Sequence, residues 1–144
     1  MILPEYLSTL FLLPESHIKE FKKWPRSFWI ITACNPYSSG QRSKDSENNA
    51  RLEKDLKAMC EWICPIICTS KDGGHDAEPS FAVSGLNFEQ VQNAAKEYSQ
   101  NAVFLIEDNV LTVVSCTEDR QCPAGYFEDK IISEENYNSS LIKI

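Results

Sequence analysis

The fold class is decided by residues 28–34, which read Phe28-Trp29-Ile30-Ile31-Thr32-Ala33-Cys34. A continuous run of β-branched and aromatic residues is typical of a strand that is covered on both faces. The run ends at Asn35-Pro36, because a residue before proline avoids the helical region and proline cannot donate to a central ladder. The sequence therefore predicts a central strand at residues 28–34.

Two helices are predicted after this strand. The first begins at Asp45 or Ser46 and extends to about Trp62. Its apolar residues recur at steps of three and four, which is typical of a buried helical stripe; they are Leu52, Leu56, Met59 and Ile63. The second helix is predicted to begin after Asn87, because Gln90 three residues later completes a capping-box pair.

Short apolar runs predict further strands at residues 66–69, 79–86, 101–106 and 110–116, the last two joined by a turn at residues 107–109. Residues 6–13 predict one more strand or a short buried helix. From residue 28, strand, helix, strand, strand, helix and strand follow one another, as in split β-α-β arrangements. We therefore predict an α+β fold, ferredoxin-like or a related α/β sandwich, with a mostly antiparallel sheet and helices packed on one face.

The chain length of 144 residues is that of one domain. Residues 118–144 contain six acidic and three basic residues and show little periodicity. We predict a single domain at residues 1–117 and an acidic C-terminal extension at residues 118–144.

Composition excludes several classes of partner. The net charge of −7 opposes non-specific binding of nucleic acid, since phosphate contacts need clustered Lys and Arg. No apolar run approaches the roughly 20 residues of a membrane helix, and the start of the chain lacks the basic region of a signal peptide. We expect a cytoplasmic protein, monomeric or homodimeric, with no nucleic-acid or membrane partner.

Cysteine and histidine content bears on metal and redox chemistry. The six cysteines match no zinc or cluster spacing, so we expect free structural thiols in a reducing compartment. Two histidines, His17 and His75, cannot build a three-histidine site, and the five glycines form neither common phosphate-loop motif. We expect no metal and no cofactor.

Three motifs resemble a known family. The first is Thr32-Ala33-Cys34-Asn35-Pro36 with Ser38 or Ser39 and, on the first helix, Asn48 and Arg51. The second is Glu78-Pro79-Ser80-Phe81 with Gly85, and the third is Gln100-Asn101-Ala102-Val103. Together they are similar to a bacterial family catalogued as domain-of-unknown-function family 3293. The resemblance spans residues 6–114. Because the function of that family is unassigned, the resemblance does not indicate any particular biochemical activity.

Polar residues of these motifs are predicted to gather along one rim of the sheet. The predicted ligand-binding residues are Thr32, Asn35, Ser38, Asn48, Arg51, Glu78, Ser80 and Gln100. Their hydroxyl, carboxamide and carboxylate groups suit a small polar ligand. Arg51, on a helix whose amino end favours anions, suits the phosphate or carboxylate of a nucleotide-like ligand.

The same residues could instead stabilise the fold without contacting a ligand. Asn35 could bond its own backbone in a turn, and Arg51 could pair with Asp55 four residues later. Gln100-Asn101 could end the second helix, because Asn tolerates the left-handed conformation.

Two other function classes also stay open. An enzyme could use Glu78 or His75 as an acid–base group, with Cys34 or Ser80 as a nucleophile. A protein-interaction or regulatory module could instead act through the acidic surface and bind a protein partner.

Overall fold

The computed structural model describes residues 4–34, 42–70 and 77–137. Its strands are β1 (Thr9–Leu13), β2 (Ser27–Ile31), β3 (Trp62–Ser70), β4 (Glu78–Ser84), β5 (Ala102–Glu107), β6 (Val110–Ser115), β7 (Gln121–Tyr126) and β8 (Ile131–Ser133). Its α-helices are α1 (Pro4–Leu7), α2 (Glu15–Lys19), α3 (Asp45–Lys57) and α4 (Phe88–Glu97). Two 3-10 helices lie at Phe21–Lys23 and Phe127–Lys130. Among the helices of these ranges, none is long and apolar enough to cross a membrane.

One eight-stranded sheet has the order β7-β6-β5-β2-β4-β3-β1-β8. Neighbouring strands are antiparallel except β1 and β8, which are parallel, so the sheet is mixed. It curls into a half-barrel with few helices. Most neighbouring strands are antiparallel, as predicted, but the predicted ferredoxin-like or related α/β sandwich with helices packed on one face is wrong, because the sheet is a curled half-barrel with few helices. Strands β1, β7 and β8 widen the sheet at its two edges, and a cluster rich in large aromatic side chains packs against one of its faces.

The predicted central strand is confirmed as β2, which pairs with β4 on one side and β5 on the other. Phe28, Ile30 and Ile31 are each at most 2% exposed, so both faces are covered. Phe28 and Ile30 belong to this aromatic core, whereas Ile31 belongs to a second core that includes residues of α3 and α4. The strand ends at Ile31, earlier than predicted, and residues 32–34 continue outside the ladder.

Helix α3 is also shorter than predicted. Leu52 and Leu56 are fully buried, but Met59 is 41% exposed and the chain enters β3 at Trp62. Pro65 lies inside β3 and pairs with Phe81 of β4. On its other side β3 pairs with β1 only over residues 67–70, so the missing N–H of Pro65 interrupts no ladder there.

Helix α4 begins as predicted. The side chain of Asn87 accepts from the backbone N–H of Gln90, and the Gln90 side chain accepts from the backbone N–H of Asn87. The predicted turn between β5 and β6 is also confirmed. Asp108 and Asn109 have φ angles of 48° and 71°, as a two-residue hairpin turn of the primed type requires.

The segment predicted as a C-terminal extension contributes to the sheet. Strand β7 pairs with β6 at one edge, and β8 pairs with β1 at the other. The 3-10 helix Phe127–Lys130 joins these two strands and so connects the opposite edges. Its Phe127 is fully buried, with ring centroids 5.0 Å from Phe11 and 5.5 Å from Phe28.

We predict that Gly85→Ala lowers the free energy of unfolding by about 2 kcal/mol. Gly85 has a φ of 86°, and an added Cβ would lie 2.5 Å from Cγ of Glu61. A non-glycine residue in this region costs about 1–2 kcal/mol, and the contact adds to that cost. Urea denaturation measures the loss.

Gly125→Ala is the matched control for this prediction. Gly125 has a φ of 95°, but an added Cβ would meet no atom within 4 Å. The free energy of unfolding of Gly125→Ala should therefore fall only by the cost of a positive φ at a non-glycine residue, about 1 kcal/mol. Equal losses for the two variants would contradict a steric role for Glu61.

Candidate functional site

The carbonyl oxygen of Pro79, at the start of β4, joins three parts of the chain. It accepts hydrogen bonds from the Thr32 hydroxyl at 2.8 Å and the Asn49 side-chain amide at 3.0 Å. The Cys34 thiol also donates to it at 3.6 Å. Because Thr32 and Cys34 follow β2 and Asn49 belongs to α3, these bonds hold the start of β4 against both elements.

Asn49 is a buried polar residue of this junction, at 8% exposure. Its Oδ1 accepts from the Ala33 backbone N–H at 3.1 Å, while its Nδ2 donates to Pro79. The neighbouring Asn48, which the sequence singled out, is half-buried on the same turn of α3. The spacing of Asn49 relative to Leu52 and Leu56 could have indicated from the sequence that Asn49 is buried, since all three positions lie on the buried stripe of α3.

Gln100 links α4 to the same junction. It is 5% exposed, and its side-chain amide donates to the carbonyls of Cys34 at 2.9 Å and Tyr98 at 3.1 Å. Helix α4 ends through Ser99, whose φ is 58°, and through a bond from the Gln100 N–H to the Ala95 carbonyl. Ser99 therefore ends α4 through its left-handed conformation, and the Gln100 side chain forms a hydrogen bond with the segment that follows β2.

A cleft of about 420 Å³ opens between α3 and the start of β4. Its lining combines an apolar floor with a charged and polar rim. Among the described residues, the apolar part of the lining, which we call the floor, is Cys34, Ala50, Ala77, Pro79 and Phe81; the charged and polar part, which we call the rim, is Arg42, Asp45, Ser46, Asn49 and Glu53. The hydrogen bonds of Asn49 and Thr32 to Pro79 fix the floor in place.

Among the described residues that line the cleft, Arg42 carries the positive charge. Its Nη1 lies 3.3 Å from Oδ2 of Asp45, and its Nη2 lies 3.6 Å from Oε2 of Glu78. These three side chains are between 17% and 26% exposed, so solvent screens them only in part. Arg42 was not singled out from the sequence, because its pairing with Glu78, 36 residues later, arises only in the fold.

Arg51, the predicted anion contact, points elsewhere. Its guanidinium lies 5.9 Å from the ring centroid of Tyr98, whose hydroxyl donates to Asp55 at 2.7 Å. Arg51 is not among the described residues that line the cleft. The structure therefore separates Arg51 from Glu78 and Thr32, which the sequence grouped with it.

The predicted residues thus fall into three groups. Thr32, Glu78, Ser80 and Gln100 lie at the junction beside the cleft, with the Ser80 hydroxyl donating to the Glu78 carbonyl at 3.0 Å. Asn48 and Arg51 lie on α3 outside the cleft lining. Asn35, Ser38 and His75 lie outside the described residues.

The thiols near this junction are poor nucleophiles. Burial raises the pKa of Cys34 to about 11, although the Thr32 hydrogen bond opposes this in part. Burial also raises the pKa of Cys68 on β3 to about 12. Because of its raised pKa, the Cys34 thiol stays protonated near neutral pH. Only the thiolate is strongly nucleophilic, so this thiol reacts slowly.

We predict that iodoacetamide at pH 8 labels Cys34, Cys68 and Cys116 slowly in the native protein. Burial raises the pKa of Cys116 to about 11 as well. Since the folded thiols ionise only above the unfolded value of about 8.5, labelling should accelerate at least tenfold on unfolding in urea. Peptide mass mapping over time measures each rate. Native labelling of Cys34 as fast as in urea would contradict its burial.

Among residues 4–34, 42–70 and 77–137, no group of three or more His, Cys, Asp or Glu side chains is placed to hold a metal ion. The junction and cleft are built instead from hydroxyl, amide, guanidinium and carboxylate groups. These groups can bind a polar molecule through hydrogen bonds and ion pairs.

Comparison with protein families gives a match over the middle of the chain. The model of a family described as "Protein of unknown function (DUF3293)" matches residues 31–103, half of the chain, and confirms the resemblance carried by the three motifs. No curated protein and no solved structure matches the chain. The matched segment extends from the end of β2 into β5 and contains each of the described residues that line the cleft.

Proposed function

We propose that this chain, which belongs to the DUF3293 family of proteins of unknown function, binds a small polar ligand in the cleft between α3 and β4. The observation that carries this proposal is the cleft itself, about 420 Å³ in volume, where an apolar floor meets a charged rim. Ligand sites commonly have volumes of about 300–1,000 Å³ and combine apolar walls with a few polar groups.

The hydrogen bonds at one wall of the cleft support a binding role. The start of β4 is held by hydrogen bonds from Thr32 and Asn49 to Pro79. Walls that are already ordered reduce the entropy lost when a ligand binds. In this proposal Thr32, Ser80 and Gln100 hold the site, while Arg42, Asp45 and Glu53 at the rim face the ligand.

The chemistry of the thiols favours binding over nucleophilic catalysis. The Cys34 thiol lies at the floor of the cleft, but burial raises its pKa to about 11, so it stays neutral near pH 7. All six cysteines are unpaired, which supports a cytoplasmic setting for the proposed binding protein.

The experiment that tests this function fills the cleft. Ala50 is exposed on α3 and lines the cleft, so Ala50→Trp should occupy the site without disturbing the core. We expect this variant to retain no ligand in native mass spectrometry. We also expect that compounds of a fragment library that raise the Tm of the unmodified chain no longer raise the Tm of the variant. A ligand at about 100 times its Kd adds about 2.7 kcal/mol, which raises Tm by roughly 5–10 °C.

Ala58→Trp is the matched control. Ala58 is exposed at the carboxyl end of α3 and does not line the cleft. It should keep ligand retention and thermal stabilisation at the unmodified level. Ligands that bind Ala50→Trp as tightly as the unmodified chain would place binding elsewhere and refute this function.

A further inference from the structure

We propose that an uncovered face of the sheet binds a second copy of this chain, so that the protein forms a dimer with two-fold symmetry. This surface, which we call the open face, lies on β2, β5, β6 and β7, beside the amino end of α4. It shares none of the described residues that line the cleft. The proposal is therefore independent of the proposed function.

The register of β5 and β6 locates the open face. Directly opposed residues of antiparallel strands lie on one face of the sheet, and every second residue returns to that face. Three opposed pairs of this face become steadily more exposed along the strands. These pairs are Val103–Val114, which is buried, Leu105–Thr112, which is half-buried, and Glu107–Val110, which is exposed. The core that includes residues of α3 and α4 therefore covers the first pair but not the last.

The neighbouring strands extend this uncovered area on both sides. Trp29 of β2 lies opposite Leu105, and Tyr126 of β7 lies opposite Val110. Phe88, the first residue of α4, stacks its ring on that of Trp29, with 5.7 Å between the ring centroids. The apolar residues that define the open face are Trp29, Phe88, Leu105, Val110, Pro123 and Tyr126.

Exposed apolar side chains are concentrated on the open face. Five large apolar side chains are exposed in the described part of the chain, and three of them belong to this face: Phe88 at 38%, Val110 at 40% and Tyr126 at 59%. Four strands spaced about 4.8 Å apart, with two rows of residues about 7 Å apart, give an apolar area of a few hundred Å². Patches of this size commonly have a function, and aromatic side chains supply many of the strongest contacts in protein interfaces.

The charges beside the open face fit a second copy of the chain. Arg26, just before β2, is 87% exposed and pairs with Asp108 at 2.7 Å, while Glu107 is exposed in β5. A two-fold interface uses the same surface of both copies, so that surface must be complementary to itself. Arg26 of one copy can pair with Glu107 of the second. A strongly acidic or strongly basic partner would instead meet a like charge here.

Sedimentation equilibrium of the full chain, from low to high micromolar concentration, tests this proposal. We expect a monomer–dimer equilibrium with a dissociation constant in the micromolar range, because the apolar area is small for a stable dimer. Tyr126→Glu should raise this constant at least about tenfold, since it places a carboxylate from each copy in an apolar contact.

Leu7→Glu is the matched control for charge and exposure. Leu7 is 37% exposed on α1, and the adjacent Tyr6 packs on the aromatic core, on the other face of the sheet. This variant should leave the dissociation constant unchanged. Circular dichroism checks that both variants fold, and if Tyr126→Glu does not, Phe88→Ser at the exposed start of α4 takes its place.

The three tryptophans provide a second readout that locates the contact. The NMR signal of the Trp29 indole N–H should shift as the concentration of the chain rises. The signals of Trp24 and Trp62 should not, because these side chains pack in the aromatic core on the other face.

A chain that stays monomeric at every concentration would overturn the proposal. A dimer that Tyr126→Glu leaves as tight as before, or one that leaves the Trp29 signal unmoved, would also overturn it, because the contact would then lie elsewhere. None of these outcomes affects ligand binding in the cleft, which Ala50→Trp tests separately.

Discussion

Phe127→Ala is expected to lower the free energy of unfolding by about 3–5 kcal/mol, the range for removing a large aromatic side chain from a core. Phe127 is fully buried and its ring contacts those of Phe11, Phe21 and Phe28, at centroid distances between 5.0 and 5.6 Å. Its removal leaves a cavity where the two edges of the sheet are connected. Urea denaturation followed by tryptophan fluorescence measures the loss.

Tyr126→Ala is the matched control, since Tyr126 is the preceding residue and is 59% exposed. Its cost should stay within about 0.5 kcal/mol. If Phe127→Ala does not fold, Phe127→Leu, which keeps most of the apolar volume, gives a measurable smaller loss. A Phe127→Leu variant as stable as the unmodified chain would contradict the tight packing of this ring.

Asn49→Asp is expected to cost about 2–4 kcal/mol at pH 7. The amide of Asn49 donates to the Pro79 carbonyl and its Oδ1 accepts from the Ala33 N–H, both within the junction beside the cleft. A carboxylate keeps the second bond but replaces the first by repulsion between two oxygens, and it buries a charge. Thermal or urea unfolding at pH 7 measures this cost.

The pH dependence of this variant provides a second readout. Burial and the facing carbonyl raise the folded-state pKa of the new carboxyl above its unfolded value. The folded state then binds the proton more tightly, so the cost is smallest below about pH 4 and grows as pH rises through the folded-state pKa. Asn48→Asp, one residue earlier and half-buried, should cost less than about 0.5 kcal/mol. Equal costs at the two positions would refute the role of Asn49.

Local structure could be predicted where one short pattern controls the backbone. Asn87 and Gln90 satisfy each other's backbone N–H groups, so their spacing alone locates the start of α4. Asp108 and Asn109 adopt positive φ angles that few other residues tolerate, and this locates the β5–β6 turn. The end of α3 was missed because Met59 and Ile63 continue its spacing by chance.

The fold class could not be predicted in the same way, because it depends on residues far apart in the chain. Strand β8 has three residues, and only its pairing with β1 defines it. Phe127 lies in an acidic segment with no periodicity, yet it completes a core with Phe11 and Phe28. A curled eight-stranded sheet follows from these distant contacts, which no local pattern contains.

The candidate site was predicted in part. Thr32, Ser80 and Gln100 do gather beside β2, but their hydroxyl and amide groups bond backbone carbonyls. Motif spacing brings such residues together without indicating whether their side chains face a ligand or the protein itself. Arg42 was missed because its partner Glu78 is distant in sequence and joins it only through the fold.

The late position of Phe127 and β8 in the sequence also affects the chain during its synthesis. Synthesis proceeds from the amino end, so β1 and the aromatic face around Phe11 and Phe28 emerge long before Phe127 and β8. Until residue 127 leaves the ribosome, that face lacks the ring that covers it. Nascent chains with exposed apolar surface and unpaired strand edges associate readily. The growing chain therefore exposes more apolar surface to association than the finished protein does.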